Sequence, residues 1–223
     1  MTRTVARDPL PRSVLAEQTM AMPSLRRRWT PRDVRALMSE SRAWPRYELI
    51  GGELLVTPSA GVPHQIAVTE LLLRLGPYVS TECLGIALAS PADLELTPDE
   101  ITQPDVFVVP LEPAAQPEWS PTWADVTRLL LAVEVFSPSS ARNDRVLKRD
   151  HYMEAGVPEY WIVDLDARII ERWTPAAATP EVFRDSITWE PVGASAALTI
   201  DLAPFFGTIW TTFRRLQPQR TSP

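Results

Sequence analysis

The stretch at 129–136, LLLAVEVF, decides the fold. It is almost entirely apolar and too short for a typical helix, so it predicts a central strand that is buried on both faces. Two more apolar runs, VFVV at 106–109 and EYWIVD at 159–164, predict further strands. A helix is predicted at roughly 142–155, between the strands at 129–136 and 159–164, and Gly156 would end it.

The rest of the chain supplies further helices and hairpins. A helix is predicted to begin at Thr30-Pro31, with Thr30 as the N-cap, and to end near residue 43. The other expected elements are a hairpin around Gly51-Gly52, a helix at 65–79 that Gly76-Pro77 kinks or ends, two strands at 84–96 split by Ser90-Pro91, a surface loop at 110–125, a strand at 169–173, and weak edge strands to residue 202. This order predicts an α/β fold in which helices flank a mixed β-sheet.

Length and composition predict a single globular domain. The chain has 223 residues, 45% hydrophobic and 22% charged, with a net charge of −6. We expect a flexible arm at 1–29, the domain at 30–213 and a flexible tail at 214–223. The negative charge excludes a polycationic nucleic-acid coat, so contact with nucleic acid would need a local basic patch.

Cysteine usage and hydropathy bear on location. The single cysteine, Cys83, excludes an internal disulfide and a cysteine-based zinc site, which favours a reducing, cytoplasmic location. No apolar run reaches about 18 residues, so no membrane span is expected.

Glu134 is the first candidate for chemistry, because it interrupts the apolar run at 129–136. A carboxylate that is buried without a partner costs several kcal/mol, so Glu134 requires a compensating cation. A metal ion is one such cation. The alternatives are that Glu134 lies at the exposed end of the strand or pairs with an arginine.

Asp105 is the second candidate, since it stands just before the strand at 106–109. Carboxylates on neighbouring strands can share Mg²⁺, which takes oxygen ligands and keeps several of its waters. Asp105 and Glu134 are therefore candidate ligands for such an ion. The alternative is that Asp105 only caps a turn.

Lys148 is the third candidate, because it is the only lysine among the 22 Lys and Arg residues. It would lie about 9 Å along the helix that follows the central strand, while Glu134 lies about 7 Å back along that strand. If the helix folds back on the sheet, the two side chains reach the same level. Because every other basic residue among these 22 is arginine, the single lysine indicates a site that requires a compact ammonium and not a planar guanidinium. The alternative is a surface pair with Asp144.

These residues resemble a known group of nucleases. Pro104-Asp105, Glu134-Val135 and Lys148 resemble the PD-(D/E)xK superfamily. More closely, YELIGGELLVTPSAGVPHQ, ITQPDVFVV and VEVFSPSSARNDRVLKRDHYMEAGVPEYWIVD resemble the Uma2 family of restriction-endonuclease-like proteins over roughly residues 30–200. The resemblance implies a restriction-endonuclease-like core. In the superfamily the lysine usually follows two residues after the glutamate, where this chain has Phe136; the family resembled moves it into the next helix.

The resemblance also implies metal-dependent hydrolysis of phosphodiester bonds, with Asp105, Glu134 and Lys148 as catalytic residues. Asp105 and Glu134 would bind Mg²⁺, or Mn²⁺, together with a backbone carbonyl near Val135. The metal would activate water and polarise a phosphoryl oxygen. Lys148 would orient that water and offset charge in the transition state.

Several other residues are weaker candidates. His64 is expected at a helix start, either on a phosphate or in solvent, and His151 either assists the site or packs. Three arginines, Arg142, Arg145 and Arg149, flank Lys148 and would either attract a phosphate backbone or form a solvated helix face. The remaining candidates are Asp93, expected on an adjacent strand, Glu70 on a polar helix face, and Tyr152, Tyr160 and Trp161, which are interpreted as packing.

The functional prediction is a Mg²⁺-dependent endonuclease whose partner is DNA. Cutting two strands would favour a homodimer with one site per chain. One alternative is a non-catalytic nucleic-acid-binding or assembly module of the same fold, and another is a nuclease for RNA or branched DNA. No separate base-reading module is present, so any sequence specificity would come from loops such as 110–128 or from a partner.

Overall fold

The computed structural model of the chain describes residues 28–40, 45–111, 122–136 and 143–216. Its α-helices are α1 (Pro31–Glu40), α2 (Val62–Thr81), α3 (Arg149–Glu154) and α4 (Leu202–Leu216). Its strands are β1 (Arg46–Ile50), β2 (Glu53–Thr57), β3 (Gly85–Ala89), β4 (Val106–Pro110), β5 (Leu131–Phe136), β6 (Tyr160–Asp164), β7 (Ile169–Trp173), β8 (Glu181–Phe183), β9 (Ser186–Trp189) and β10 (Leu198–Asp201). A 3₁₀ turn at Trp123–Asp125 and a π-helical turn at Asn143–Lys148 accompany them.

Strand β5 lies inside a six-stranded sheet with the order β3-β4-β5-β6-β7-β8. It pairs antiparallel with β4 and parallel with β6. Its first five residues are buried, so both faces of the strand contact the interior. The mixed sheet with helices against its faces confirms the predicted α/β fold. Because β5 and β6 are parallel, the chain must cross back between them, and the helical residues 143–154 belong to that crossover.

Helix α2 covers one face of the sheet, and α4 packs against α2 and the β9–β10 pair. The apolar face of α2 includes Leu71, Leu75 and Val79, all fully or almost fully buried in the main core. This confirms the predicted helix but corrects its end. The helix continues through Pro77 to Thr81, because Leu75 and Val79 pack on either side of the proline and hold both halves against the core.

Helix α4 is absent from the sequence prediction. Its buried residues Leu202, Phe205, Phe206 and Ile209 follow helical spacing, and Pro204 lies in the first turn, where a helix tolerates it. The helix runs to Leu216, three residues past the predicted domain boundary at 213.

Two predicted elements differ in detail. The segment 84–96 forms one strand, β3, and not two, because Leu94 instead makes an isolated bridge with Thr102. The predicted helix at 142–155 begins as the π-helical turn before it becomes α3, and Gly156 follows with a φ of +71°. The weak strands expected before residue 202 are confirmed as β8, β9 and β10. The expected arm and tail, except residues 28–29 and 214–216, and most of the loop at 110–125 fall outside the described residues.

The hairpin of β1 and β2 is held beside the opposite face of the main sheet. Gly51 and Gly52 adopt φ of +59° and +77°, the positive values that a tight two-residue turn requires. Leu49 and Ile101 exchange backbone hydrogen bonds of 2.7 and 2.9 Å. This bridge fixes β1 against the segment that leads into β4, and so places the polar side chains of β1 near the start of β4.

The core predicts a large cost for shortening one side chain of α2 and a small cost for another. Leu71→Ala should lower the free energy of unfolding by about 2–5 kcal/mol, because Leu71 is fully buried. Leu73→Ala is the matched control, since Leu73 is 63% exposed on the same helix, and should change stability by less than about 0.5 kcal/mol. Urea denaturation followed by circular dichroism measures both. Equal losses would contradict the packing of α2.

Candidate active site

Asp105, directly before β4, lies beside Glu134 of the neighbouring strand β5. Because β4 and β5 are antiparallel and Val106 pairs with Val133, the next position along brings Asp105 opposite Glu134. The Val135 N–H donates to Asp105 Oδ2 over 2.9 Å. Both acids are buried, with 4% and 3% of their surfaces exposed. The two carboxylates therefore meet within the protein, as the sequence predicts.

Lys148 reaches this pair from the crossover between β5 and β6. It ends the π-helical turn, and its Nζ lies 2.9 Å from Glu134 Oε1. Glu134 thus pairs with a lysine. Lys148 is 4% exposed, so the alternative that it lies on the surface is wrong. Lys148 and Glu134 are therefore in contact, as their positions along the helix and the strand predict.

A third buried carboxylate, Glu48 of β1, also contacts Lys148. Its Oε2 lies 3.0 Å from Lys148 Nζ, and its Oε1 accepts a hydrogen bond of 2.8 Å from the Gln103 N–H. Only 1% of Glu48 is exposed. Sequence reasoning missed this residue. The signal was available, because a carboxylate between apolar neighbours in a short strand is the pattern that singled out the acid of β5.

The side chains of Arg46 and His64 also contact the Asp105 carboxylate. Arg46 Nη2 lies 3.0 Å from Oδ1, and His64 Nε2 lies 2.9 Å from Oδ2. Burial alone would raise the pKa of Asp105, but the interactions with His64, Arg46 and Lys148 together hold that pKa well below its usual range. The proposals that Asp105 only caps a turn and that His64 is a solvated residue are both wrong.

Tyr152 joins the acids to the core. Its hydroxyl donates to Glu134 Oε1 over 3.1 Å and lies 3.0 Å from Thr102 Oγ1. Burial, followed by the charge of Glu134, raises the pKa of Tyr152 well above its ordinary value, so the hydroxyl stays protonated. The interpretation of Tyr152 as packing is therefore incomplete. Tyr160 and Trp161 are buried in the core, as predicted.

The two weaker acidic candidates do not join the other acids. Asp93 lies outside the strands, contrary to expectation, and its Oδ1 accepts a hydrogen bond of 2.6 Å from Gln103 Nε2. Glu70 forms an ion pair of 2.5 Å with Arg74 one turn along α2. Neither carboxylate has a contact with Glu134 or Lys148 among the described hydrogen bonds and ion pairs.

His151 is buried beside the site, on the helix that follows Lys148. Its Nδ1 lies 2.5 Å from Glu100 Oε2. Burial lowers the pKa of His151 although Glu100 opposes the shift, so the neutral ring donates its Nδ1–H to the carboxylate. The burial of His151 agrees with the packing alternative, and a role in assisting the site stays a prediction.

The arginines near Lys148 are engaged within the protein. Arg145 pairs with Glu171 at 2.6 Å and lies over the Phe136 ring. Arg149 pairs with Asp150 at 2.9 Å. These contacts weaken the prediction that both arginines are available to a phosphate backbone, while Arg142 lies outside the described residues.

The family model for Uma2, described as "Putative restriction endonuclease", matches residues 33–203. The chain belongs to the Uma2 family. It is also similar in structure to a protein of Anabaena variabilis ATCC 29413, described as "a putative nuclease belonging to DUF820". That match has 21% identity and a TM-score of 0.60, and covers 79% of this chain and 98% of the other, which shows a shared fold. No curated protein matches the chain.

The donor set of this Uma2 chain fits a hard divalent cation that one or two carboxylates bind, with waters and substrate phosphates as the other ligands. Three buried carboxylates, those of Glu48, Asp105 and Glu134, surround two basic side chains, Arg46 and Lys148. Among the described residues, no three His, Cys, Asp or Glu side chains are arranged to hold a metal. Mg²⁺ does not require such a cage, since it is usually bound by one or two carboxylates, waters and substrate phosphates.

None of the described helices has the length and apolar character needed to cross a bilayer.

Tyr152→Phe should destabilise the Uma2 chain more than a matched tyrosine change. The lost hydroxyl bonds the ionised Glu134, so the free energy of unfolding should fall by about 1.5–3 kcal/mol. In the control, Tyr78→Phe removes a hydroxyl that donates to the neutral Ala196 carbonyl over 2.8 Å and should cost about 0.5–1.5 kcal/mol. Thermal and urea denaturation compare the two variants. A smaller loss for Tyr152→Phe would contradict an ionised Glu134.

His151 should make the protein less stable in mild acid. Because its folded pKa is lowered, the folded state binds fewer protons than the unfolded state below about pH 6.5, and stability falls as the pH decreases through that value. Urea denaturation at about pH 7.5 and pH 5.5 would measure the loss. His151→Leu cannot titrate and should lose less stability over that interval. An identical pH dependence in both proteins would assign the loss elsewhere.

Proposed function

We propose that this chain is a metal-dependent endonuclease that hydrolyses phosphodiester bonds in DNA, with Mg²⁺, or Mn²⁺, as its cofactor. The observation that carries the proposal is the contact of the chain's only lysine with Glu134, at 2.9 Å, next to Asp105. Membership of the Uma2 family, described as "Putative restriction endonuclease", supports the same reaction class.

Asp105 and Glu134 would hold the ion. Asp105 directly precedes β4 and Glu134 lies on the adjacent strand β5, and the Val135 N–H and the Tyr152 hydroxyl fix the orientation of one carboxylate each. When bound, Mg²⁺ would polarise a phosphoryl oxygen and lower the pKa of a bound water. The strands supply positional accuracy, because side chains on a sheet are held more rigidly than those on loops.

Lys148 would act on the charge that develops during the reaction. Glu134 and Glu48 hold its ammonium at 2.9 and 3.0 Å, so it needs little reorganisation when negative charge grows on the phosphoryl oxygens. Its place in the crossover also accounts for Phe136, which occupies the strand position where the superfamily usually has a lysine.

The substrate would approach from the side of Arg46 and His64. Their side chains are 11% and 15% exposed, whereas those of Asp105, Glu134 and Lys148 are 4–5% exposed. Exposure therefore increases toward the two basic residues. Basic groups at the mouth of an acidic site would attract a phosphate backbone despite the net charge of −6.

One observation favours a second candidate, a non-catalytic nucleic-acid-binding or assembly module of the same fold. Both oxygens of Asp105 already have partners, Arg46 on Oδ1 and His64 on Oδ2. If those partners never yielded, the carboxylate would only stabilise the fold. Metal binding therefore separates the two candidates.

A plasmid-nicking assay tests the enzyme directly. The purified chain should nick supercoiled DNA with Mg²⁺ or Mn²⁺, and lose activity in EDTA. Asp105→Asn, Glu134→Gln and Lys148→Met should each lower the rate at least about a hundredfold. Lys148→Arg should also be impaired, because a planar fork does not replace a compact ammonium between two carboxylates.

Glu70→Gln is the matched control, because Glu70 pairs with Arg74 on α2 and should leave the rate unchanged. Equal nicking by the wild type and all variants would identify a contaminating nuclease. Cleavage of RNA but not DNA would overturn the substrate assignment alone.

A further inference from the structure

Arg46 faces all three buried carboxylates of the site. Its Nη2 lies 3.0 Å from Asp105 Oδ1, and the charges of Glu134 and Glu48 also act on its guanidinium. The side chain is 11% exposed, so this cation is largely withdrawn from water. Its positive charge compensates the same carboxylates that a bound divalent cation would compensate.

The two oxygens of Asp105 differ in how firmly they are held. Oδ2 accepts from the Val135 N–H, which belongs to a central strand and cannot move away without breaking the sheet. Oδ1 is held by Arg46 through a long side chain with several rotatable bonds. Of these two partners, Arg46 is therefore the one that can yield to an incoming ion.

The Arg46 guanidinium and a metal ion would compete for Oδ1, because their positive charges repel one another. Carboxylate oxygens bind Mg²⁺ at about 2.0–2.1 Å, and a guanidinium at hydrogen-bond distance from the same oxygen would be repelled by the dication. The neighbouring lysine has two carboxylate partners of its own, Glu48 and Glu134, and can remain in place.

We propose that Arg46 is a built-in counter-ion that Asp105 exchanges for a divalent cation. In the metal-free protein Arg46 compensates the buried carboxylate, and it leaves Oδ1 when the ion binds. The inference rests on the proposed metal site and goes beyond it, because it assigns Arg46 a role that opposes metal binding. A residue that only supported the ligands would have the reverse effect when removed.

Titration calorimetry with Mn²⁺ on the purified full chain tests the exchange. Arg46→Gln should bind Mn²⁺ at least about tenfold more tightly than the wild type, since no cation has to be displaced from Asp105. Arg46→Lys, which keeps a charge on a shorter side chain, should lie between them. Without metal, Arg46→Gln should melt at a lower temperature, and Mn²⁺ should raise its melting temperature more than that of the wild type.

Arg172→Gln is the matched control, because it removes one positive charge from β7, where Arg172 pairs with Glu181. It should bind Mn²⁺ like the wild type. Mn²⁺ affinity in Arg46→Gln that is equal to or weaker than in Arg172→Gln would overturn the exchange.

Asp105→Asn separates the failure of this inference from the failure of the proposed function. If Asp105→Asn abolishes Mn²⁺ binding but Arg46→Gln does not strengthen it, the exchange alone is wrong. If Asp105→Asn binds Mn²⁺ as well as the wild type does, the proposed metal site and the exchange both fall.

Arg46→Gln could fail to fold because it leaves a buried carboxylate without its cation. In that case the arginine side-chain N–H signals of the ¹⁵N-labelled wild type provide the answer, with the Arg46 signal assigned by its loss in Arg46→Lys. Addition of Mg²⁺ should shift that signal and leave the Arg172 signal in place. An unmoved Arg46 signal at saturating Mg²⁺ would overturn the exchange.

Discussion

The ammonium of Lys148 lies between two buried carboxylates, and much of the architecture serves to bring these three groups together. Glu134 comes from the central strand, Glu48 from a hairpin tied to the segment before β4, and Lys148 from the crossover that joins two parallel strands. None of the three could be buried alone without a cost of several kcal/mol. Each element is therefore fixed in position partly by the charge that another element supplies.

The central part of the fold could be predicted because local patterns in the sequence specify its elements. The apolar run of β5, the glycine pair of the β1–β2 turn and the buried face of α2 each follow a local rule of periodicity or backbone conformation. The buried residues of α4 also have helical spacing, but Pro204 and Gly207 weaken the prediction of a helix from the sequence. Packing of Phe205 and Phe206 on the core, which no local pattern reveals, stabilises that helix.

The site could be predicted in part for a related reason. Asp105, Glu134 and Lys148 stand out because each is unusual for its sequence context. Arg46 does not stand out, and the place of Glu48 beside Lys148 depends on the bridge between Leu49 and Ile101, a contact between distant parts of the chain. Tyr152 looks like an ordinary core residue until the position of its hydroxyl is known. Local anomalies are therefore detected from sequence, whereas the partners that compensate them are not.

The crossover has a consequence for the thermal behaviour of the protein. The ammonium and its two carboxylate partners belong to different structural units, since the acids lie on strands and the lysine on a short helical segment of 143–154. Short helices detach from a domain at lower free energies than central strands do. Warming should therefore separate the lysine from the acids while the sheet is still intact. The loss of this contact would then be reversible and would precede global melting, so a melting temperature measured on the sheet would overestimate the temperature range in which the contact persists.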